Sequence, residues 1–427
     1  MKVKEKIKPK KLPFFYGWVI IIISAMSLFF AGPGQTYSVS IFINAYIKEF
    51  GWSRSLVSSI YSFASLCAGL MLPFIGRKID LAGHRKMLTI ISFLLGMTCL
   101  WMSFVFNPVM LFIGFVFLRL LGQGSMTLIP STLVSQWFVK RRGRAISLMT
   151  IGGVLSAGAV PVINNWLINT AGMRLTWIIW ATSLMAIMAP LSWILVRNKP
   201  EEMKLLPDGE SIKKGEKEAA KNENNIIEGK IDWTLKAAMK TRTFWLMMFC
   251  MTVPSMINTG LTFHMLSIIE EKGLSIAFAA SVLGLTAVIQ LPLNFLAGHM
   301  VDRIKVHYIR AVNYWIMVLA LVAISTATTS KVVILYAILS AVFNAFNSVT
   351  TEALWPAYYG RKHLGSIRSM ATTAMVIGSA LGPLPFGVAF DMFNGYTEIL
   401  IIMMIFPVIA SFASIISPPP GNPSSIE

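Results

Sequence analysis

The chain has 427 residues, of which 55% are hydrophobic and 13% charged, with a formal net charge of +18. An average soluble domain carries about 25% charged residues, so this chain cannot cover a water-facing surface, and a soluble multidomain protein is excluded. Its three cysteines, Cys67, Cys99 and Cys250, all lie in apolar stretches, which excludes a disulfide framework.

A helix needs roughly 20 apolar residues to cross about 30 Å of hydrocarbon. Twelve stretches meet that length, at 14–46, 55–76, 87–106, 109–138, 145–168, 175–196, 243–269, 276–300, 311–328, 332–359, 367–392 and 398–417. Their long uncharged runs predict helices rather than the short alternating segments of a barrel. Span 1 follows a lysine-rich start but is too long for a signal peptide, so it reads as a retained helix. Gly32-Pro33-Gly34 falls in the middle of span 1 and Pro254 in the middle of span 7. Proline removes a helical hydrogen bond, which lipid tolerates only where protein or a cavity satisfies the freed carbonyl. The segment 197–242 is the one long polar stretch and cannot bury a core. The predicted organisation is a basic tail 1–13, a six-helix bundle 14–196, a linker 197–242, a second six-helix bundle 243–417 and a short tail 418–427.

Lysine and arginine in the loops set orientation. The segments sharing a side with the N-terminus and the linker hold 31 of them, and the opposite side holds 5. The one that remains, Arg119, lies inside a span. Both termini and the linker are therefore expected in the cytoplasm. The positive charge follows topology, and nucleic acid is not an expected partner.

The halves echo each other. Gly76-Arg77-Lys78-Ile79-Asp80 after span 2 and Gly298-His299-Met300-Val301-Asp302 after span 8 both read G-x-x-x-D, 222 residues apart. Arg144 and Arg368, Gly158 and Gly382, and Pro161 and Pro385 repeat at 224. Such parallel duplications build transporters with a substrate site between the halves.

The stretch Gly76 to Lys86, with Gly83-His84-Arg85-Lys86 at its end, resembles the signature of the major facilitator superfamily between its second and third helices. Arg119 with Gly122 and Gly124 resembles that family's fourth-helix motif. Tyr16-Gly17-Trp18 and Trp137-Phe138-Val139-Lys140-Arg141-Arg142-Gly143-Arg144-Ala145 resemble the bacterial monocarboxylate and oxalate–formate type transporters. Span 8 departs from the monocarboxylate pattern, holding Gln290 and Asn294 where an Asp-Arg pair is usual. The resemblance implies an all-α membrane protein of twelve helices in two six-helix halves, the major facilitator fold. It also implies a cytoplasmic gate of Gly76, Asp80, Arg85, Arg142, Arg144 and Asp302, and a bacterial cytoplasmic membrane as the setting.

Ionisable residues inside a membrane are costly and mark functional sites. Arg119 lies about 16 Å along its helix from the outer end, where its planar guanidinium can grip a carboxylate with two parallel hydrogen bonds or serve as a structural donor. Glu352 lies about 13 Å from the cytoplasmic end of span 10 and is a candidate proton carrier, as is His264 in span 7. Tyr61, Gln290, Asn294 and Asn347 are further mid-span polar residues. By the family resemblance, helices 1, 4, 7 and 10 line the cavity, so Tyr37, Gln123, Asn258 and Asn344 join Arg119 as expected substrate contacts.

No glycine-rich phosphate loop, metal-ligand spacing or nucleophile–base cluster is present, so an enzyme, a cofactor and a metal are not expected. The expected function is a monomeric secondary transporter of a small monocarboxylate-like anion, coupled to protons, in the plasma membrane. The alternative is a proton-driven exporter of amphipathic or drug-like compounds, with Glu352 as its acid.

Overall fold

The computed structural model describes residues 14–52, 54–203, 205–209, 233–274 and 276–421. The tail 1–13, the centre of the linker at 210–232 and residues 422–427 lie outside them. Among the described residues eleven helices are long and apolar enough to cross a membrane: Ser59–Ala82, His84–Ser103, Pro108–Trp137, Arg142–Ala171, Met173–Leu195, Arg242–Met265, Gly284–Val301, Val306–Ser325, Ser330–Tyr359, Leu364–Phe390 and Thr397–Ile415. Ahead of them is span 1, which completes the expected twelve. It is broken where the sequence places its breakers: Gly17–Phe30, a 3-10 turn at Gly32–Gly34, then Thr36–Phe50. The described residues contain no strand.

Several helices outrun their hydrophobic stretches. Span 2 continues through Asp80 to Ala82, span 9 starts at Val306 rather than 311, and span 11 starts at Leu364 rather than 367. Hydropathy marks the limit of the hydrocarbon, whereas the hydrogen-bond ladder runs on wherever the next turn finds partners. Two cations assigned to loops consequently sit on helices: Arg310 is 1% exposed and Arg368 is 5% exposed.

Four prolines show how the freed carbonyls are satisfied. Each lacks the N–H that would bond the carbonyl four residues back. Pro33 frees the Phe29 carbonyl, which accepts from Ser156 Oγ at 2.9 Å. Pro130 frees that of Met126, which accepts from Ser27 Oγ at 3.0 Å. Pro73 frees that of Gly69, which accepts from Thr373 Oγ1 at 2.7 Å. Pro254 frees that of Cys250, which accepts from Arg310 Nη2 at 3.2 Å and from the Tyr314 hydroxyl. Each broken bond thus becomes a tie between helices, and the Pro73 tie joins the two halves.

Buried apolar side chains form two clusters, one drawn mainly from spans 1–6 and the other from the segment 233–413. The ends of the halves lie together on one face. Tyr16 at the start of span 1 donates to the Leu195 carbonyl at 2.7 Å, and Tyr358 at the end of span 10 donates to that of Ser417 at 3.0 Å. This is the face where the lysines and arginines concentrate, the basic face.

Candidate functional site

Between the halves lies a cavity of about 30 Å³, lined from spans 1, 2 and 4 on one side and spans 7 and 11 on the other. That is room for little more than a water. Its polar lining is Arg119 with the hydroxyls of Thr36, Tyr61, Ser62, Ser65, Thr259 and Ser379. Phe263, Val376, Ala380 and Pro383 supply the apolar wall.

The local sequence explains how Arg119 arrives there. Span 4 widens into a π-helical stretch at Leu118–Ser125, the region of Gly122 and Gly124. The break in span 1 presses against it: a Cβ on Gly34 would strike the backbone of Leu118 and Gly122. With no side chains between them, Arg119 Nη1 donates to the Gly34 carbonyl at 3.2 Å and to Thr36 Oγ1 at 3.1 Å. Tyr61 donates to the same Thr36 oxygen at 3.0 Å, and the Tyr61 ring lies 5.0 Å from the guanidinium carbon. Arg119 is 4% exposed and its Nε has no partner. Among the described residues it forms no ion pair with a carboxylate. Neutral oxygens do not pair the charge of a buried guanidinium, and an unpaired buried charge is costly.

The other expected substrate contacts lie elsewhere. Tyr37 donates to Ser156 at 2.8 Å, within the first half. Asn258 donates to Asn344 at 3.1 Å, so these two satisfy each other between spans 7 and 10. Gln123 keeps a buried Oε1 without a partner. None of the four lines the cavity described above.

Glu352 pairs with Arg368 of span 11, both within the second half. The sequence reading missed this pair because it counted Arg368 as a loop residue. His264 has both ring nitrogens engaged, Nδ1 with the Tyr396 hydroxyl at 3.1 Å and Nε2 with the Pro383 carbonyl at 3.2 Å. Its ring stacks on Phe386. Arg310 is held by the Cys250 carbonyl, the Tyr314 hydroxyl at 2.7 Å and Thr351 Oγ1 at 3.0 Å, inside the second half and away from the cavity.

The gate residues assemble as two arms on the basic face. Asp80 of span 2 accepts from the amides of Gly365 and Ser366, both at 2.8 Å, and from the Ser366 hydroxyl at 2.6 Å. Asp302 after span 8 accepts from the amides of Gly143 at 2.6 Å and Arg144 at 3.3 Å, and Arg144 Nε lies 3.5 Å from it. Each carboxylate therefore sits on the amino end of a helix of the other half, where free amides and the helix dipole favour negative charge. Gly76 lies against Gly365, and Gly298 against Gly143, closely enough that a Cβ on any of them would meet backbone oxygen. In the two arms the contacts repeat at 222, Gly143 and Arg144 being matched by Gly365 and Ser366. Burial raises the Asp302 carboxyl above the usual carboxylate range, opposed by the Gly143 and Arg144 amides and the Arg144 charge. Arg85 is not in either arm. Its Nε donates to the Trp193 carbonyl at 2.6 Å and it stacks on the Trp193 ring, tying span 3 to span 6. Arg142 Nε donates to the Phe138 carbonyl at 3.3 Å in its own loop.

Comparison with known proteins matches the family model described as Major Facilitator Superfamily to residues 17–383. Monocarboxylate transporter 14 of Mus musculus is 28% identical over 225 residues, covering 50% of this chain and 44% of that protein. Monocarboxylate transporter 9 of Gallus gallus is 24% identical over 158 residues, covering 37% of this chain and 31% of that protein. The chain thus matches less than half the length of these relatives. Among solved structures, the proton:xylose symporter XylE bound to 6-bromo-6-deoxy-D-glucose superposes with a TM-score of 0.70 at 14% identity, over 94% of this chain and 96% of that one. The human organic anion transporter MFSD10 (TETRAN) gives 0.68 at 12% identity, over 95% of this chain and 100% of that one. At these identities the likeness is one of fold.

Proposed function

The chain belongs to the major facilitator superfamily and is a membrane transporter rather than an enzyme; on that premise we propose that its substrate is a small monocarboxylate-like organic anion and that transport is coupled to protons. The observation carrying this reading is Arg119, a buried guanidinium without a carboxylate partner among the described residues, beside a hydroxyl-lined cavity between the halves. An anion entering there supplies the missing charge and accepts from the guanidinium fork and the hydroxyls together. One cation in the lining suits one carboxylate. The monocarboxylate names of the matched relatives agree with this chemistry.

The moving units in this reading are 14–196 and 243–417, joined by 197–242, with the basic face cytoplasmic in a plasma membrane and the protein a monomer. Glu352, paired with Arg368, is the proton carrier that fits best, because a proton there releases a cation inside the second half. His264, with both nitrogens satisfied, is better suited to bracing span 7 at its outer end.

A thermal-shift titration of purified protein tests the anion site, since a ligand that binds only the folded state stabilises it by mass action. Short monocarboxylates should raise Tm in the native protein and not in Arg119→Gln. A shift with bulky organic cations alone would overturn the anion reading in favour of an exporter.

A further inference from the structure

We propose that Asp208, in the linker between the halves, is a positioning residue of the transport cycle: it fixes the loop ahead of span 5 so that this loop presents its amides to Asp302. Asp208 belongs to the turn Pro207-Asp208-Gly209, where both Asp208 and Gly209 take left-handed backbone angles, φ 62° and 76°. Asp and Gly are the residues that accept that region most readily. The turn is anchored by Phe15, whose ring lies against Gly209. It aims the Asp208 carboxylate at three successive amides, Val139 at 3.0 Å, Lys140 at 2.8 Å and Arg141 at 3.0 Å.

The next amides along the chain, Gly143 and Arg144, are those taken by Asp302 of the second half. Two carboxylates therefore divide one short stretch of backbone, one from the linker and one from across the interface. They also sense each other: the charge of Arg142, between the two sets of amides, is attracted to both Asp208 and Asp302. A loop holding three charge-assisted bonds on one side has little freedom to turn its remaining amides away. The linker thus contributes to the closed basic face as well as joining the halves. The loop ahead of span 11 is tied by reciprocal bonding of Gln136 and Arg361, each to the other's carbonyl at 2.7 Å, and the linker reaches it through Glu201, 4.0 Å from Arg361.

The test uses the full-length protein in bilayers, with its three native cysteines replaced and one reporter, Ser369→Cys, placed beside Gly76 in the other arm, remote from Asp208. Opening of the basic face is read as the rate of maleimide labelling, and the loop is read by amide hydrogen exchange over 139–144. Asp208→Ala should deprotect 139–144 and speed labelling about tenfold, the scale expected for losing charge-assisted bonds. In an Asp302→Asn background the same substitution should add less than about twofold, because the amides it positions have already lost their partner. Deprotection confined to 139–141 with unchanged labelling would overturn the proposal and leave Asp208 a local loop cap. So would an undiminished effect in the Asp302→Asn background. Should Asp208→Ala fail to fold, Asp208→Asn, which keeps one acceptor, carries the same comparison with a smaller expected change.

Discussion

Asp80 accepts a hydrogen bond from the amide of Gly365 at 2.8 Å, placing a carboxylate of the first half on the amino end of a helix in the second. Hydrogen bonds to charged groups contribute about 1.5–3 kcal/mol each. Asp80→Asn keeps the shape, removes the charge and turns one acceptor into a donor facing amides. We expect a loss of about 1–2 kcal/mol from the closed basic face, about tenfold in population. Faster labelling of a cysteine at Ser369 from the basic face would show it. An unchanged rate would mean that this arm does not hold the closed state.

The second arm carries a pH dependence of definite sign. Asp302 is buried in the closed arrangement and its carboxyl is raised there; when the face opens it returns toward its ordinary value. A raised value means that the closed state binds the proton more tightly. Acidification therefore favours closure. The contribution is complete below the ordinary carboxylate value and is lost as pH rises through the raised one. Neighbouring charges on Arg144, Arg142 and Asp208 set how far the value moves. Basic-face labelling should slow as pH falls across that window, and Asp302→Asn should remove this arm's share of the dependence.

Thr373 and Pro73 allow a cleaner test of interhelical coupling. Thr373 Oγ1 bonds the Gly69 carbonyl, which Pro73 leaves without its helical N–H. Thr373→Val should weaken contact between the halves by about 1 kcal/mol, the usual net worth of a neutral bond. With Pro73→Ala in place, the helix supplies its own donor and Thr373→Val should become nearly neutral. Additive effects in the double-mutant cycle would contradict this account.

Much of this architecture is legible in the sequence, for a physical reason. Hydrocarbon imposes length and apolarity on every span, and Gly32-Pro33-Gly34 and Pro254 announce where backbone groups are set free. The spacing of Gly76 and Asp80, repeated at Gly298 and Asp302, marks both arms of the latch. What the sequence hides is reach. Arg310 and Arg368 lie within a turn or two of water by residue count, and nothing in composition says that their helices bury them. Short hydroxyls such as Thr259 and Ser379, bonded at 2.9 Å, resemble every other hydroxyl on a membrane helix until the halves are brought together. Asn258 and Asn344 carry no sign in the sequence that they bond each other between spans 7 and 10.

Glu352 and Arg368 make a buried pair whose members cannot be removed singly without consequence. Glu352→Gln strands a guanidinium that is 5% exposed, and breaking such a pair costs about 3–5 kcal/mol. A lower Tm and a smaller folded yield are expected, with both recovered in Glu352→Gln combined with Arg368→Gln. Transport by the double variant should no longer respond to a proton gradient. Retained proton dependence would move the coupling site elsewhere.

Arg119 separates charge from geometry. Arg119→Lys keeps a cation but replaces the planar fork by a point charge. The fork reaches both the Gly34 carbonyl and Thr36 Oγ1 from one nitrogen, which leaves the rest of the guanidinium for a ligand. An ammonium making the same two bonds has a single donor left and cannot grip a carboxylate through two nitrogens. If the anion is held bidentately, Arg119→Lys should raise KM by about tenfold or more while the folded yield stays near native, and Arg119→Gln should abolish uptake. If Arg119 only braces spans 1 and 4, Lys should restore transport and stability together, and Gln should lower the folded yield as steeply as the transport. Uptake of a radiolabelled monocarboxylate into proteoliposomes, normalised to folded protein, decides between the two.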